Sequence, residues 1–387
     1  MDKIFELISK EEERQNSQVQ LIPSENFISE DVKRALGSCL SNKYAEGYPG
    51  RRYYQGNKVI DEIEKECQER AWKAFGLDQN VWGVNVQPHS GCEANLAVYN
   101  GLLEPGDKIM AMYLPDGGHL SHGWHTDKKI TLVSKIYEVE FYKVNPKTEV
   151  FDYEEIKKQA ERFRPKMIIS GGTAYPREID YEEMGQIAKA VGAYYLADVS
   201  HEAGLIAGKV LTSPWEAADV VTMTTHKTLR GPRGAMIFAK KSLIEAINKS
   251  VFPGLQGGPH MQTIAAIAVA LGGTQTEEFR KYAQQVVKNA KKLAEVLMAE
   301  GIKVISGGTD KHLLLIDVGL SRGKEVAIEL EDNGIIVNAN TIPGEKGSPL
   351  NPSGIRMGSP AMTTRGWKEK EFEEVGKKMA KIIRQVP

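Results

Sequence analysis

The sequence is poor in cysteine, and it has neither a long apolar run nor an excess of charge of one sign. Its three cysteines, Cys39, Cys67 and Cys92, form no CxxC pair and no metal-site spacing. Such a sparse, odd count indicates reduced thiols rather than a disulfide framework. No window approaches the roughly 20 apolar residues that a membrane-spanning helix needs, and no signal-peptide pattern opens the chain. These absences predict a soluble, cytoplasmic protein.

Charge and composition narrow the class of protein further. The 50 basic and 51 acidic residues leave a formal net charge of -1, so no charge excess indicates a nucleic-acid or membrane partner. Apolar residues make up 41% and charged residues 26% of the chain, close to the averages for globular proteins. Because 387 residues are too many for one core, we predict about two or three domains.

Short apolar runs alternate with helical periodicity from about residue 58 to 275. The clearest runs are KIMAMYL, KMIIS, AYYLADV and VVTMTT. Strands that alternate with helices of about 10 to 15 residues predict βαβ units and a mostly parallel sheet. A long helical segment and a smaller mixed pattern follow. We therefore predict an N-terminal arm over 1–40, a large α/β domain over 41–275 and a small α+β domain over 276–387.

One apolar run ends in a segment typical of a Schiff-base site. In VVTMTTHKTLRGPRGAM, Lys227 follows a predicted core strand and precedes a loop rich in glycine and arginine. A lysine amine in a polar pocket becomes a nucleophile when desolvation or nearby positive charge lowers its pKa. For a lone lysine the alternative, a solvated residue at a strand end, is favoured, because lysine is rarely buried.

Two other strand ends carry the remaining groups that a pyridoxal-phosphate site needs. Asp198 ends AYYLADV, at the sheet edge where α/β folds bind ligands. Its carboxylate can pair with a protonated pyridine nitrogen, or it can cap the next helix. In QPHSGCEANL, Ser90 and Gly91 lie between a strand and a helix, whose first N–H groups can bind phosphate.

The histidines of HLSHGWH resemble a metal-binding pattern. His119 and His122 are three residues apart, and His125 follows. On a helix, two imidazoles at this spacing can share a face and bind zinc, but structural zinc is normally four-coordinate. No nearby acidic or thiol group completes such a set, so we predict no metal.

Over nearly its whole length the chain resembles the serine hydroxymethyltransferases. The matching stretches keep the family's order and are LIPSEN, NKYAEGYPGRRYYQG, NVQPHSG, PDGGHLSHG, ADVSHEAGLIA, TTHKTLRGPRG, FPGLQGGP, SGGTDKHLLL and SGIRMGSPAMTTRG. The resemblance implies a pyridoxal-phosphate-dependent transferase of fold type I, the aspartate-aminotransferase-like class. It also implies the reversible conversion of L-serine and tetrahydrofolate into glycine and 5,10-methylenetetrahydrofolate, through a Schiff base with the cofactor. The alternatives are a pyridoxal-phosphate aldolase acting on threonine-like β-hydroxy amino acids and an inactive regulatory relative.

By this resemblance, Lys227 forms the Schiff base, Asp198 pairs with the pyridine nitrogen and His119 stacks on the ring. The further implied cofactor and catalytic contacts are Ser90, Gly91, Cys92, Thr173, His201, Thr224 and His226. Tyr44, Gly257 and Gly258 of the neighbouring subunit would complete the phosphate site. Cys92 stands where the family often has serine, and since a thiol is a weaker donor than a hydroxyl, we expect modestly lower cofactor affinity.

The resemblance also implies how substrates are held. Arg356 would bind the substrate carboxylate, for which a planar bidentate donor is suited. Glu46 and Tyr54, again from the neighbouring subunit, would act in proton transfer and in positioning the serine hydroxyl. The other implied substrate and folate contacts are Ser24, Tyr53, Leu114, Gly118, Leu120, Arg233 and Asn340. The active unit is then at least a homodimer with two shared sites, and the choice between dimer and tetramer is left open.

Overall fold

The computed structural model describes residues 2–348 and 350–386, and the chain forms two compact units. Unit 1 comprises residues up to 26, residues 174–177 and residues from 285 onward. Unit 2 comprises residues 27–173 and 178–284. The predicted division into arm, large domain and small domain stays a prediction. No helix of the described part of the chain is both long and apolar enough to cross a membrane.

The secondary structure is numbered in chain order. The strands are β1 (Val19–Gln20), β2 (Gly47–Tyr48), β3 (Arg51–Arg52), β4 (Trp82–Asn85), β5 (Lys108–Met112), β6 (Glu138–Tyr142), β7 (Met167–Ser170), β8 (Tyr194–Asp198), β9 (Val220–Thr224), β10 (Ala235–Lys240), β11 (Lys303–Val304), β12 (Leu313–Asp317), β13 (Ile335–Ile336), β14 (Asn338–Asn340) and β15 (Gly354–Gly358). The α-helices are α1 (Lys3–Ser17), α2 (Glu30–Leu36), α3 (Lys58–Phe75), α4 (Gly91–Leu102), α5 (Leu132–Ile136), α6 (Tyr153–Phe163), α7 (Tyr181–Val191), α8 (Ala203–Ala207), α9 (Ile244–Lys249), α10 (Met261–Gly273), α11 (Glu277–Ala299), α12 (Gly323–Asp332), α13 (Pro360–Thr364) and α14 (Glu369–Gln385).

Unit 2 contains a seven-stranded sheet with the strand order β4-β10-β9-β8-β7-β5-β6. Neighbouring strands are parallel except where β10 runs antiparallel to both β4 and β9. Strands β7, β8 and β9 are almost wholly buried, as expected for parallel strands covered on both faces. The mostly parallel sheet predicted from the apolar runs is therefore present.

Unit 1 contains a four-stranded antiparallel sheet with the strand order β11-β12-β15-β14. Alternate residues of a strand point to opposite faces. Ile355 and Met357 of β15 pack into the apolar core of this unit, so Arg356 between them lies on the opposite face. Helix α14 contributes Phe372 and Met379 to the same core, from one apolar stripe of an amphipathic helix.

A buried ion-pair network anchors the β2–β3 hairpin in unit 2. The Arg52 side chain is only 4% exposed, and its guanidinium donates to Glu64 Oε2 at 2.6 Å and to Asp61 Oδ1 at 2.8 Å. It also donates to the backbone carbonyls of Ala45 and Gly47. Burial raises the pKa of Glu64, and Arg52 opposes that rise. The segment that carries Glu46 is thus held by a charge pair that water does not reach.

Replacing Arg52 by methionine leaves the Glu64 carboxylate buried without its cation, so we expect a loss of about 3–5 kcal/mol in unfolding free energy. The pKa of Glu64 then rises further, and the folded protein can take up a proton at acidic pH. The loss is therefore larger at pH 8 than at pH 5.5. Urea unfolding at both pH values measures it. Lys33→Met, which breaks an exposed pair with Glu30, is the control and should cost less than about 1 kcal/mol; equal losses for the two variants contradict the prediction.

Candidate active site

The start of α4 lies against the end of β9. Ser90 is the N-cap, and its Oγ accepts from the Glu93 N–H at 3.5 Å. A Cβ on Gly91 would lie 2.7 Å from Thr224 Cγ2, so glycine is what allows the close approach. Cys92 follows in the first turn and is exposed. The first N–H groups of this 12-residue helix, together with its dipole, form an anion-binding terminus.

The Asp198 carboxylate at the end of β8 is buried and fully engaged in hydrogen bonds. Ser200 donates to Oδ1 from its N–H at 3.0 Å and from its Oγ at 2.6 Å. Asn95 Nδ2 donates to Oδ2 at 2.9 Å, and His122 Nε2 lies 3.0 Å from the same oxygen. Burial by itself would raise the pKa of Asp198, but the hydrogen bond and charge of His122 outweigh it and hold the pKa well below its usual range. The carboxylate is therefore anionic at neutral pH and can pair with a cation.

Asp198 does not cap the helix that follows. Helix α8 has Glu202 at its N-cap position, whereas Asp198 Oδ1 closes a local turn with Ser200. The helix-cap alternative considered for Asp198 is therefore wrong.

Lys227 lies in the loop of residues 225–234 that joins β9 to β10. The Thr225 N–H donates to the Gly234 carbonyl at 3.0 Å, and the Gly231 N–H donates to the Thr225 carbonyl at 2.7 Å. Lys227 is only 8% exposed, so it is not the solvated lysine of the alternative interpretation. Next to it, His226 Nδ1 is buried without a hydrogen-bond partner. Burial, with the charges of Lys227 and Arg233, lowers the pKa of His226 to about 3.

The His119 segment is held by backbone and hydroxyl contacts. The Ser121 N–H donates to His119 Nδ1 at 3.1 Å. Thr173 donates from its N–H to the Gly117 carbonyl and from its Oγ1 to the Gly118 carbonyl. The His201 carbonyl accepts from Thr228 Oγ1 at 2.8 Å, which ties it to the lysine loop. We call the residues predicted around the cofactor the Asp198 group: Ser90, Gly91, Cys92, His119, Thr173, Asp198, His201, Thr224, His226 and Lys227.

The residues that the resemblance assigns to a neighbouring subunit also lie together in unit 2. Tyr44 donates from its hydroxyl to Glu46 Oε1 at 3.2 Å, and its ring centroid is 4.9 Å from that of Tyr54. A Cβ on Gly257 would lie 3.1 Å from Glu46 Oε1, and one on Gly258 would lie 3.4 Å from the Tyr44 ring. We call these five residues the Tyr44 group. The Tyr44, Tyr53 and Tyr54 side chains are 52%, 71% and 46% exposed.

The remaining predicted contacts divide between the units. In unit 1, Arg356 Nε donates to Asn338 Oδ1 at 3.0 Å, across β15 and β14. Burial lowers the pKa of Arg356 to about 10, so it stays cationic at neutral pH. Asn340 and Ser24 of unit 1 are half-buried. In unit 2, Leu120 and Arg233 are exposed, Leu114 is half-buried and Gly118 is buried.

Three polar residues that hydrogen-bond to Asp198 are not among the predicted site residues: Ser200, Asn95 and His122. Asn95 is fully buried in α4, and its only signal is a polar residue inside the apolar helical pattern ANLAVY. His122, considered only as a metal ligand, is fully buried and bonded to Asp198. His125, of the same motif, lies with its ring nitrogens against the Thr126 and Val139 carbonyls.

Comparison with known proteins identifies the family. Residues 1–379 match the family model described as serine hydroxymethyltransferase. This chain belongs to the serine hydroxymethyltransferase family. Similar family members include the mitochondrial serine hydroxymethyltransferase of Schizosaccharomyces pombe, 48% identical over 98% of this chain and 81% of that protein. The cytosolic serine hydroxymethyltransferase of Oryctolagus cuniculus is 49% identical over 96% and 81%, and the serine hydroxymethyltransferase of Desulfotalea psychrophila is 48% identical over 98% and 88%.

Membership of the serine hydroxymethyltransferase family confirms three predictions: the family, the fold type I class and the enzyme class of a one-carbon transferase. The roles of individual site residues stay predictions. So does the cytoplasmic location, because family members with mitochondrial, cytosolic and chloroplastic names are all similar to this chain.

The neutral state of His226 predicts a pH dependence of stability. The folded protein holds this imidazole neutral down to about pH 3, whereas the unfolded chain protonates it near the ordinary histidine pKa of 6.5. The unfolded state therefore binds more protons below pH 6.5, and stability falls there by up to about 1.4 kcal/mol per pH unit. His226→Gln should remove this contribution from the pH slope measured by urea unfolding between pH 6.5 and 5. Gln79→Asn, at an exposed residue that does not titrate, should keep the wild-type slope; identical slopes for wild type and His226→Gln refute the assignment.

Proposed function

We propose that this chain catalyses the reversible conversion of L-serine and tetrahydrofolate into glycine and 5,10-methylenetetrahydrofolate. Family membership over residues 1–379 supports the reaction. The observation that carries it is the Asp198 group, in which an anionic buried carboxylate at the end of β8 and a buried lysine in the loop after β9 both lie close enough to the first turn of α4 to interact with Cys92. No observation favours an aldolase without folate or an inactive relative.

The residues of the Asp198 group fit pyridoxal phosphate. The first turn of α4, at Ser90, Gly91 and Cys92, suits a phosphate. The Asp198 carboxylate suits a protonated ring nitrogen, and Lys227 supplies an amine for the aldehyde. His119, Thr173, His201, Thr224 and His226 are the proposed ring and hydroxyl contacts. When bound, the cofactor supplies an electron sink for the electron pair left on the substrate when the Cα–Cβ bond breaks.

The chain's own residues would orient the substrate and move its protons. Arg356 binds the carboxylate of serine as a charged, planar donor, and Ser24 supports it. Asp198 keeps a proton on the ring nitrogen, because an anion buried beside that atom favours its protonated state. Glu46 accepts the proton of the serine hydroxyl as a general base, with Tyr54 positioning that hydroxyl. Lys227, which is 8% exposed, would hold the aldehyde carbon of the cofactor through its amine when no substrate is bound.

Tetrahydrofolate is the proposed acceptor of the one-carbon unit. Two of its proposed contacts are exposed apolar or aromatic side chains that a flat ring system can cover, Tyr53 and Leu120, which are 71% and 53% exposed. Leu114, Gly118, Arg233 and Asn340 complete the proposed substrate contacts. We also propose the cytoplasm as the place of action, in keeping with three free thiols.

We propose a homodimer in which each active site is shared between subunits. The Tyr44 group is assembled within one chain, with Tyr44, Glu46 and Gly257 in mutual contact range. All five of its residues are those assigned to the neighbour, so one subunit can present them together to the Asp198 group of the other. Two-fold symmetry then gives two equivalent sites.

The first test pairs a spectrum with an assay. We expect purified protein with pyridoxal phosphate to be yellow, with an absorption band at the short-wavelength end of the visible range. We expect its formation of glycine from L-serine to depend strongly on tetrahydrofolate. A yellow protein that cleaves threonine-like substrates without regard to folate would instead establish an aldolase. A colourless, inactive protein in the presence of added cofactor would overturn the proposal.

Glu46 and Lys227 give a sharper test of the shared site. We expect Glu46→Gln to keep cofactor binding but to lower folate-dependent turnover by about 10²–10⁴-fold, and Lys227→Ala to be inactive. A purified heterodimer of the two variants has one intact site if Glu46 serves the partner's Lys227. It should then recover about half of the wild-type activity. If each site lies within one chain, the heterodimer stays inactive.

A further inference from the structure

A single buried amide links three of the elements around Asp198. Asn95 of α4 is 0% exposed. Its Oδ1 accepts from Thr222 Oγ1 of β9 at 2.7 Å. Its Nδ2 donates to Asp198 Oδ2 of β8 at 2.9 Å and to Ser121 Oγ at 2.9 Å, in the 3₁₀ turn Leu120–His122. Both N–H groups of the amide are therefore in use.

These contacts bear on the next hydrogen bond. Ser121 Oγ accepts from Asn95, so its own proton is available to another acceptor, either His119 Nδ1 or the Cys92 side chain. His119 Nδ1 lies 2.7 Å from that oxygen and also receives the Ser121 N–H at 3.1 Å. Because a ring nitrogen that accepts cannot carry a proton, the His119 proton resides on Nε2.

The Asp198 carboxylate decides which way the amide faces, because it can only accept a hydrogen bond and therefore requires Nδ2 beside it. The Thr222 hydroxyl, which can donate or accept, then donates to Asn95 Oδ1. A flipped amide would place its oxygen against the Asp198 carboxylate, with two acceptors in contact and no proton between them. The Thr222 hydroxyl, the Asn95 amide and the Ser121 hydroxyl thus form one continuous series of hydrogen bonds that ends at His119 Nδ1. The same amide also donates to Asp198.

We propose that Asn95 is a positioning residue that sets the tautomer of His119 and the orientation of the Asp198 carboxylate together. The inference rests on the proposed function, in which these two groups meet the face and the ring nitrogen of pyridoxal phosphate. One side chain then couples the two contacts. Loss of the amide should disturb both.

The direct test reads the protein without cofactor. In protein labelled with ¹⁵N-histidine, and with the His119 signals assigned from a His119→Gln variant, we expect wild type to show protonated Nε2 and unprotonated Nδ1. Asn95→Ala frees the direction of the shorter Ser121 Oγ contact and leaves only the longer Ser121 N–H bond to hold Nδ1 as an acceptor, so we expect both signals to shift towards a mixture of tautomers. Ser121→Ala and Thr222→Val each remove one link and should shift them in the same direction. These two variants decide the question if Asn95→Ala does not fold.

Asn289→Ala is the matched control. Asn289 of α11 is also fully buried, and its Nδ2 donates to Thr363 Oγ1 and to the Trp367 carbonyl within unit 1. Its loss should lower stability as much as the loss of Asn95, but it should leave the His119 signals unchanged. The proposal would be overturned if the His119 signals changed equally in Asn95→Ala and Asn289→Ala. It would also be overturned if these signals stayed unchanged in Asn95→Ala, Ser121→Ala and Thr222→Val.

The second readout is cofactor affinity, measured by equilibrium dialysis with pyridoxal phosphate. We expect Asn95→Ala to bind about tenfold more weakly, since two hydrogen bonds that hold the contact residues are lost, and Asn289→Ala to bind as wild type does. Wild-type affinity in Asn95→Ala would overturn the coupling to Asp198. If wild type itself fails to bind, the proposed function fails, while the cofactor-free spectra still decide the role of Asn95.

Discussion

The negative charge buried at Asp198 is the constraint on which the site depends. An isolated carboxylate in a protein interior costs several kcal/mol unless donors surround it. Here the donors come from different places in the chain: a turn after β8, helix α4 and the turn that carries His122. These elements have to meet at one point for the charge to be tolerated. The requirement for donors therefore also organises the surroundings of His119.

The sheet topology makes that meeting possible. Strands β8 and β9 are parallel neighbours, with Asp198 opposite Thr222, so the segments that follow them emerge at the same edge. Gly91 lets α4 begin against Thr224. The reversal at β10 returns the chain beside β9 and encloses Lys227 in a short loop. Acid, amine and helix terminus are thus brought together by strand direction.

The sequence predicts the elements whose pattern is local. Strands β5, β7, β8 and β9 appear as apolar runs because their residues are buried on both faces. Edge strand β6 is not predicted, since Glu138 and Glu140 interrupt its pattern. Helix α10 is missed for the opposite reason: MQTIAAIAVALGG is so evenly apolar that it shows no helical period.

The site residues also divide into those that a local sequence pattern can predict and those that it cannot. Lys227 and Asp198 can be proposed from the sequence because each follows a recognisable core strand, and the family resemblance supplies Arg356 and the Tyr44 group. Asn95 and His122 cannot be predicted in this way, because each acts through a hydrogen bond to Asp198, which belongs to a different element of secondary structure. A hydrogen bond between side chains that are distant in the sequence produces no periodic pattern of residues from which it could be predicted.

The hairpin of β9 and β10 has a consequence for how fast a ligand can be captured. Both ends of the loop that carries Lys227 are bonded into the sheet, and Thr225 pairs across the loop with Gly234 and Gly231. The backbone freedom of this segment is therefore lost during folding and not during encounter. An incoming aldehyde meets an amine whose backbone is already in place, so the association rate should depend on diffusion and desolvation and not on ordering of the loop.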